Sequence, residues 1–286
     1  MFFAKSPWHF QKRLLHFWLH RRSPLDPAIL PLLCDPITHA PLEIDAQSHS
    51  LVSARTGRRY PLRDGIPVFI DEAEVTGPNR KYQHMYDRLA PGYNVVERFY
   101  YWLTRKPSFR NDFLKELEIQ PGFRVLEVSV GTGANLSALS TQTDLSRTEF
   151  FGLDLSWGML RQCSRNAQYQ HQNAHLFQAQ AERLPFRDNL FDSVFHVGGI
   201  NFFSGKAAAI REMIRVAKPG TKIVIVDETE KVVTGNYQRN PLTKKYFEKG
   251  SEAVSCPIDL VPPEMQAIEA HEIANGKLYC LTFRKP

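Results

Sequence analysis

From Val125 to Phe283 short apolar runs alternate with helical stretches. This alternation constrains the fold more than any other feature of the chain. Strands that are apolar throughout, separated by helix-length segments, build a parallel sheet covered on both faces. Arg124-Val125-Leu126-Glu127-Val128 is the first such run, and Glu149-Phe150-Phe151-Gly152-Leu153 the second. Near the end of the chain, two strand patterns over 267–273 and 277–283 flank Asn275-Gly276, a strong hairpin signal. The predicted class is therefore α/β, a wound parallel sheet closed by an antiparallel last strand.

The 286 residues suffice for one large α/β domain plus an appendage. Hydrophobic residues at 43% and charged residues at 23% exclude disordered, collagen-like and disulfide-scaffold classes. No apolar run reaches the roughly 18–20 residues of a membrane span. Cys34, Cys163, Cys256 and Cys280 lie far apart and form no C-x-x-C pair. They read as reduced thiols of a cytoplasmic protein. A net charge of +6 allows an anionic partner without requiring one.

Four segments are expected. Residues 1–23 form an amphipathic helix, with Phe10, Leu14, Leu15, Phe17, Trp18 and Leu19 opposite His9, Lys12, Arg13, His16 and His20. Two readings stay open, docking on the protein's own core or lying at a membrane surface as a peripheral contact through residues 1–22. The segment lacks the long apolar region and cleavage site of a secretory signal. Residues 24–75 make a small β-rich module. Its prolines Pro24, Pro27 and Pro31 predict an extended connector, followed by two short strands within 42–54 and a third entered through Arg63-Asp64-Gly65. Residues 76–120 are a tyrosine-rich helical linker with breaks at Pro91-Gly92 and near Pro107. Residues 121–286 hold the large domain.

The first strand runs into Ser129-Val130-Gly131-Thr132-Gly133, and a helix begins near Ala134. Such a turn lets a ligand approach the backbone and aims free N–H groups at it. The third glycine of a G-x-G-x-x-G is missing, which disfavours NAD or FAD. Asp154 ends the second strand, where a carboxylate can accept from both hydroxyls of a ribose. Capping the helix that follows Leu155 is a compatible alternative. His196 follows the fourth strand and is the candidate base, because imidazole titrates near neutrality. A hydrogen-bonded structural histidine is the open alternative. Asn201 and Phe202 read as walls of a partly apolar pocket, with Tyr237 and Tyr246 in an insertion expected to cap it. Asp227, Glu228 and Glu230 do not have the spacing of a catechol-type metal site, so no metal is expected.

Three further stretches complete a pattern: Gln178 to Phe186, Asp188 to Phe195, and Arg215 to Glu228 around Lys218-Pro219-Gly220. From about Tyr82 to Arg284 the chain resembles the class I S-adenosylmethionine-dependent methyltransferases. Met85 to Asn94 and Gly198-Gly199-Ile200-Asn201 resemble the ubiquinone/menaquinone C-methyltransferase group within them. The chain departs from that group at Ser129 and Gln180, which replace a usual glycine and aspartate, at Asn94, and at Gly199-Ile200. Residues 32–70, most specifically Tyr60 to Pro67, resemble the small zinc-ribbon-like proteins that activate methyltransferases. Cys34 with His39 does not furnish the four ligands zinc needs, so a metal-free module is expected.

The resemblance implies a Rossmann-like seven-stranded sheet and S-adenosyl-L-methionine as cofactor. It places Gly131, Thr132 and Gly133 under the methionine portion, with Glu127 orienting that loop or the amino group. Asp154 is implied for the ribose, Leu155 for packing on adenine, and Gln180, Ala181 and Glu182 for its nitrogens. Tyr82, Tyr86 and Tyr93 are implied as a lid, and His196 as facing the transferred methyl. The expected activity is in-line methyl transfer to carbon or oxygen of a small aromatic or lipophilic acceptor. RNA methylation and a non-catalytic cofactor-binding scaffold are the alternatives. Dispersed basic residues without an RNA-binding motif disfavour nucleic acid as partner.

Overall fold

The computed structural model describes residues 25–104, 109–141, 145, 147–166, 174–237 and 254–286. The amphipathic segment 1–23 and Tyr246 lie outside the described residues, as does the side chain of Tyr237.

Two sheets form. The first is antiparallel, with β1 (Leu42–Asp45), β2 (Ser50–Ser53), β3 (Arg59–Arg63) and β4 (Ile66–Pro67) in sequential order. The Asp64-Gly65 turn joins β3 to β4 instead of leading into the third strand, so four strands stand where three were expected. Both turn residues have positive φ, 50° and 82°, the geometry that an Asp-Gly two-residue hairpin favours. Pro27 and Pro31 do not lie in an extended connector, and Pro24 is outside the described residues. Pro27–Leu32 is a 3-10 helix, capped by the Asp26 side chain accepting from the Ala28 N–H at 2.9 Å. A proline at the first helical position loses no bond there.

The second sheet contains β5 (Arg124–Val128), β6 (Glu149–Asp154), β7 (Ala174–Gln178), β8 (Ser193–Val197), β9 (Lys222–Glu228), β10 (Gln266–Ile273) and β11 (Leu278–Arg284). Their order is β10-β11-β9-β8-β5-β6-β7. β5 pairs parallel with both β6 and β8, so the winding reverses at β5. β11 runs antiparallel to both its neighbours, as the Asn275-Gly276 hairpin predicts. In a sheet of this kind ligands bind outside the carboxyl ends of the strands where the winding reverses.

Among the described residues, the α-helices of six residues or more are α1 (Gly77–Thr104), α2 (Ala134–Leu139), α3 (Trp157–Arg165) and α4 (Lys206–Val216). α1 runs through Pro91 without the expected break. Proline at 91 takes the helical donor away from the Asp87 carbonyl. That carbonyl packs against α3, where a Cβ on Gly158 would come within 3.0 Å of it. The expected break near Pro107 lies outside the described residues.

The small sheet is joined to the large one. Val68 makes a parallel bridge to Gln178, and the Phe69 N–H donates to the Gln178 carbonyl at 2.7 Å. Leu33 bridges Phe186, and the Cys34 N–H donates to the Pro185 carbonyl at 3.0 Å. The exposed edge of β7 is thereby covered. Leu25, Ile29, Leu33, Leu51, Tyr60 and Phe69 share one apolar core with Phe151, Phe177, Phe186 and Phe191. Across the other face, the Arg63 guanidinium lies 4.1 Å from the centre of the Trp157 ring. Cys34 is buried in this junction and its thiol donates to the Phe186 carbonyl at 3.1 Å. Burial pushes that thiol up to about 12. Among the described residues, no group of three or more His, Cys, Asp or Glu could hold a metal ion, and no helix is long and apolar enough to cross a membrane.

Candidate active site

β5 ends at Val128 and the backbone turns sharply. Ser129, Gly131 and Gly133 all take left-handed conformations, with φ of 62°, 55° and 79°. Nothing lies within 4 Å of a Cβ on Gly131, so its conformation and not crowding asks for glycine. Ser129 takes the same region with a side chain, which costs about 1–2 kcal/mol.

Asp154 pins this turn from the next strand. Its Oδ2 accepts from the Gly131 N–H at 2.9 Å and its Oδ1 from the Ser156 N–H at 2.8 Å. The carboxylate therefore bridges the tips of β5 and β6. Ser156 and not Asp154 caps α3, accepting from the Met159 N–H at 3.1 Å. Burial pushes the Asp154 carboxyl up to about 6, against the two backbone donors that lower it. Glu127 lies beneath the turn, fully buried. Its Oε1 accepts from Asn135 Nδ2 at 2.7 Å, whereas Oε2 has no partner among the described residues. Burial pushes this carboxyl up to about 8.

A cleft of about 950 Å³, counting its open mouth, lies over these strand ends. It brings together Tyr82, Tyr86 and Tyr93 of α1, Gly131, Asp154, Leu155, Gln180, Ala181, Glu182 and Phe202. Thr132 and Gly133 belong to the turn without lining the cleft. Tyr82 stacks on Phe202 with ring centroids 4.6 Å apart. Val233, at the start of the insertion, packs with Tyr82 and Met85.

His196 does not reach the cleft. The ring is fully buried, with Nδ1 2.9 Å from the Val128 carbonyl and Nε2 3.0 Å from the Ile200 N–H. A carbonyl only accepts, so Nδ1 carries the hydrogen and Nε2 accepts. Burial pushes the imidazole down to about 4. With no lone pair left to take a proton, His196 is the structural histidine and not the base. Asn201 is likewise part of the frame and not a pocket wall. Its N–H donates to Asp227 Oδ2 at 2.8 Å, its Nδ2 to the Glu228 carbonyl at 2.8 Å, and its Oδ1 accepts from the Tyr279 hydroxyl at 3.2 Å. Asp227 is held well above the usual carboxylate range by burial and by the adjacent Glu228.

The sequence reading did not find Asn79, Gln83 and Asp87 of α1. Asn79 Nδ2 donates to Glu182 Oε1 at 2.9 Å and to Gln180 Oε1 at 3.3 Å. Glu182 Oε1 also accepts from the Gly205 N–H at 3.1 Å, so this acid ties α1 to the start of α4. Asp87 Oδ1 accepts from the Ser156 hydroxyl at 2.6 Å and the Gly158 N–H at 2.7 Å. These partners lie far away in sequence; Asp87 falls within the Met85 to Asn94 stretch but has no role assigned there, and no local pattern announces Asn79 and Gln83.

The donor set suits an adenosyl group carrying an amino acid. A carboxylate stands at the tip of β6 with an open glycine turn beside it, and a second, buried carboxylate, that of Glu127, lies beneath the turn without lining the cleft. Comparison with known proteins agrees. Residues 125–220 match the family described as "Methyltransferase domain", and residues 26–65 match the Trm112p-like proteins. The chain is 32% identical over 183 residues to the demethylmenaquinone methyltransferase of Geobacillus sp. (strain WCH70), covering 61% of this chain and 74% of that one. It is 29% identical over 156 residues to the ubiquinone/menaquinone biosynthesis C-methyltransferase UbiE of Geotalea daltonii, covering 54% and 66%. A chain from the complex of the Haloferax volcanii Trm112 methyltransferase activator shares the fold, with a TM-score of 0.53 at 16% identity over 70% of this chain and 97% of that one. With the glycine turn, the bridging aspartate and these matches together, the chain belongs to the S-adenosylmethionine-dependent methyltransferases, in the family of its demethylmenaquinone methyltransferase and UbiE relatives, and carries a Trm112p-like module ahead of the catalytic domain.

Proposed function

We propose that the protein methylates a ring carbon of a small, lipophilic, quinol-type aromatic acceptor. The observation that carries this reading is the match to a demethylmenaquinone methyltransferase over 183 residues. The lining of the cleft supports it: Phe202, Phe203 and Tyr82 are among it, and beside Asp154 and Glu182 it holds one further carboxylate, that of Glu228.

Bound S-adenosylmethionine supplies an electrophilic methyl on a sulfonium, already a strong leaving group. The chain's own work is alignment and exclusion of water. Asp154 and the backbone at Ala181 hold the adenosyl end, Gly131 lies under the methionine portion, and Glu127 Oε2 receives the ammonium. Tyr86 and Tyr93 cover the cofactor from α1. For transfer to carbon, the acceptor gives up one proton net as the new C–C bond forms. With His196 saturated, the Glu228 carboxylate is the group on the acceptor side that takes it. Tyr237 and Tyr246 of the insertion remain proposed as the outer cap.

Incubation with S-adenosylmethionine and a demethylmenaquinol, followed by mass spectrometry, is expected to show one added methyl on the ring. Tight cofactor binding without methylation of this or any quinol acceptor would overturn the acceptor assignment. Glu228→Gln is expected to lower turnover about 10²–10⁴-fold with cofactor affinity unchanged. An equal loss of cofactor affinity would remove Glu228 from the proton-accepting role.

A further inference from the structure

Gln83 of α1 is 4% exposed and lines the cleft. Its Nε2 stands 3.1 and 3.3 Å from the two carboxylate oxygens of Glu72, and 3.4 Å from the Leu155 carbonyl. Both groups only accept hydrogen bonds, so the amide nitrogen must face them. The flipped amide would set its oxygen against a carboxylate and a carbonyl. Oε1 is therefore fixed on the other side, where it is buried with no donor among the described residues. A buried carbonyl left without a donor is costly unless a ligand brings one. Leu155 directly follows Asp154, so this acceptor stands at the adenosyl end of the cleft.

We propose that Gln83 is a cofactor-binding residue whose Oε1 accepts a hydrogen bond from the adenosyl group, and that Glu72 is the positioning residue that holds its amide in that orientation. Glu72 lies on the strap between the small sheet and α1, and that strap is tied to both parts. Glu74 pairs with Arg58 of the small sheet at 2.9 Å and with Arg183 of the large domain at 3.6 Å. The Ala73 N–H donates to Asp71 Oδ1 at 2.9 Å, and the Arg80 guanidinium donates to the Glu72 carbonyl. The Trm112p-like module thus sets the angle of a side chain in the cofactor cleft. Displacing the module releases the Gln83 amide and lowers cofactor affinity.

The adenosyl group offers two kinds of donor, its 6-amino group and its ribose hydroxyls, and titration calorimetry on the full chain distinguishes them. Gln83→Met keeps the volume and removes the acceptor. It is expected to weaken S-adenosylhomocysteine about tenfold. S-inosylhomocysteine, which lacks the 6-amino group, shows no such penalty if the amine is the donor and the full penalty if the ribose is. Glu72→Ala changes an exposed residue and is expected to weaken the same ligand about threefold, with no additional loss in the double variant. Unchanged affinity of Gln83→Met at an unchanged melting temperature overturns the binding role. Additive losses in the double variant overturn the positioning role. If Gln83→Met does not fold, an unaltered affinity in Glu72→Ala overturns the relay by itself. Failure of the wild-type chain to bind S-adenosylhomocysteine would instead remove the cofactor site as a whole.

Discussion

Ser129 and Glu127 show what individual residues in this site contribute and what they cost. Ser129 holds a left-handed backbone that a side chain disfavours by about 1–2 kcal/mol, whereas glycine would give back about 0.4–1 kcal/mol through a freer unfolded chain. Ser129→Gly is therefore expected to raise stability by roughly 0.5–1 kcal/mol, read as a higher midpoint in urea unfolding. Glu127 makes a pH prediction. Its carboxyl is pushed up to about 8 from an ordinary 4.5 by burial, so the free protein keeps it protonated at neutral pH. An ammonium at Oε2 stabilises the ionised form and releases that proton. Cofactor affinity should therefore rise with pH toward 8 and fall again at higher pH, where the cofactor's ammonium loses its proton. Near pH 7 the binding enthalpy should depend on the ionisation enthalpy of the buffer, and a buffer-independent enthalpy would contradict the pairing. At this scale the sequence was legible where placement follows from position on a strand, as for Asp154 and Gly131, which meet at the tips of neighbouring strands. It misled where a role depends on what remains unpaired. Nothing in the run around His196 reveals that Val128 and Ile200 take both its nitrogens.

Among the elements, the central strands β5, β6, β8 and β9 were the most legible because each is a largely apolar run in its own window. The turns and helix continuity were less so. Asp64-Gly65 signals a hairpin, but which strands it joins depends on the pairing of Leu62 with Pro67 and Arg63 with Ile66. Pro91 signals a break, but α1 persists because its neighbouring turn is held from outside, by Ser156 and Gly158 donating to the Asp87 carboxylate. The covering of β7 is wholly non-local. Phe69 contributes both the N–H bonded to Gln178 and a ring 4.9 Å from Tyr60 and 6.5 Å from Phe177. Phe69→Ala is expected to cost about 3–5 kcal/mol. Chemical denaturation measures that loss, and one below about 1 kcal/mol, the range of an ordinary surface change, would show that the edge strap is not anchored by this ring.

For the whole molecule, the presence of a small β-rich part ahead of a large α/β sheet was readable from the change in strand pattern along the chain. That the small part packs on the large one was readable too, since about forty residues give little core of their own; the particular contacts, such as Leu33 with Phe186, were not, because they join runs that look self-contained. A single core across both parts predicts a single cooperative unfolding transition in calorimetry, shifted as a unit by Phe69→Ala. Two separate transitions would mean that the parts are independent. Gly158 has a consequence at this scale too. A Cβ there would fall 2.9 Å from the Asp87 Cα. Even one added methyl would act as a wedge beneath the helix that roofs the cleft, lifting Tyr82, Gln83 and Tyr86 together. Headroom above the cofactor is thus set by the absence of an atom on the opposing helix, and a graded series of side chains at that point would raise the roof in steps.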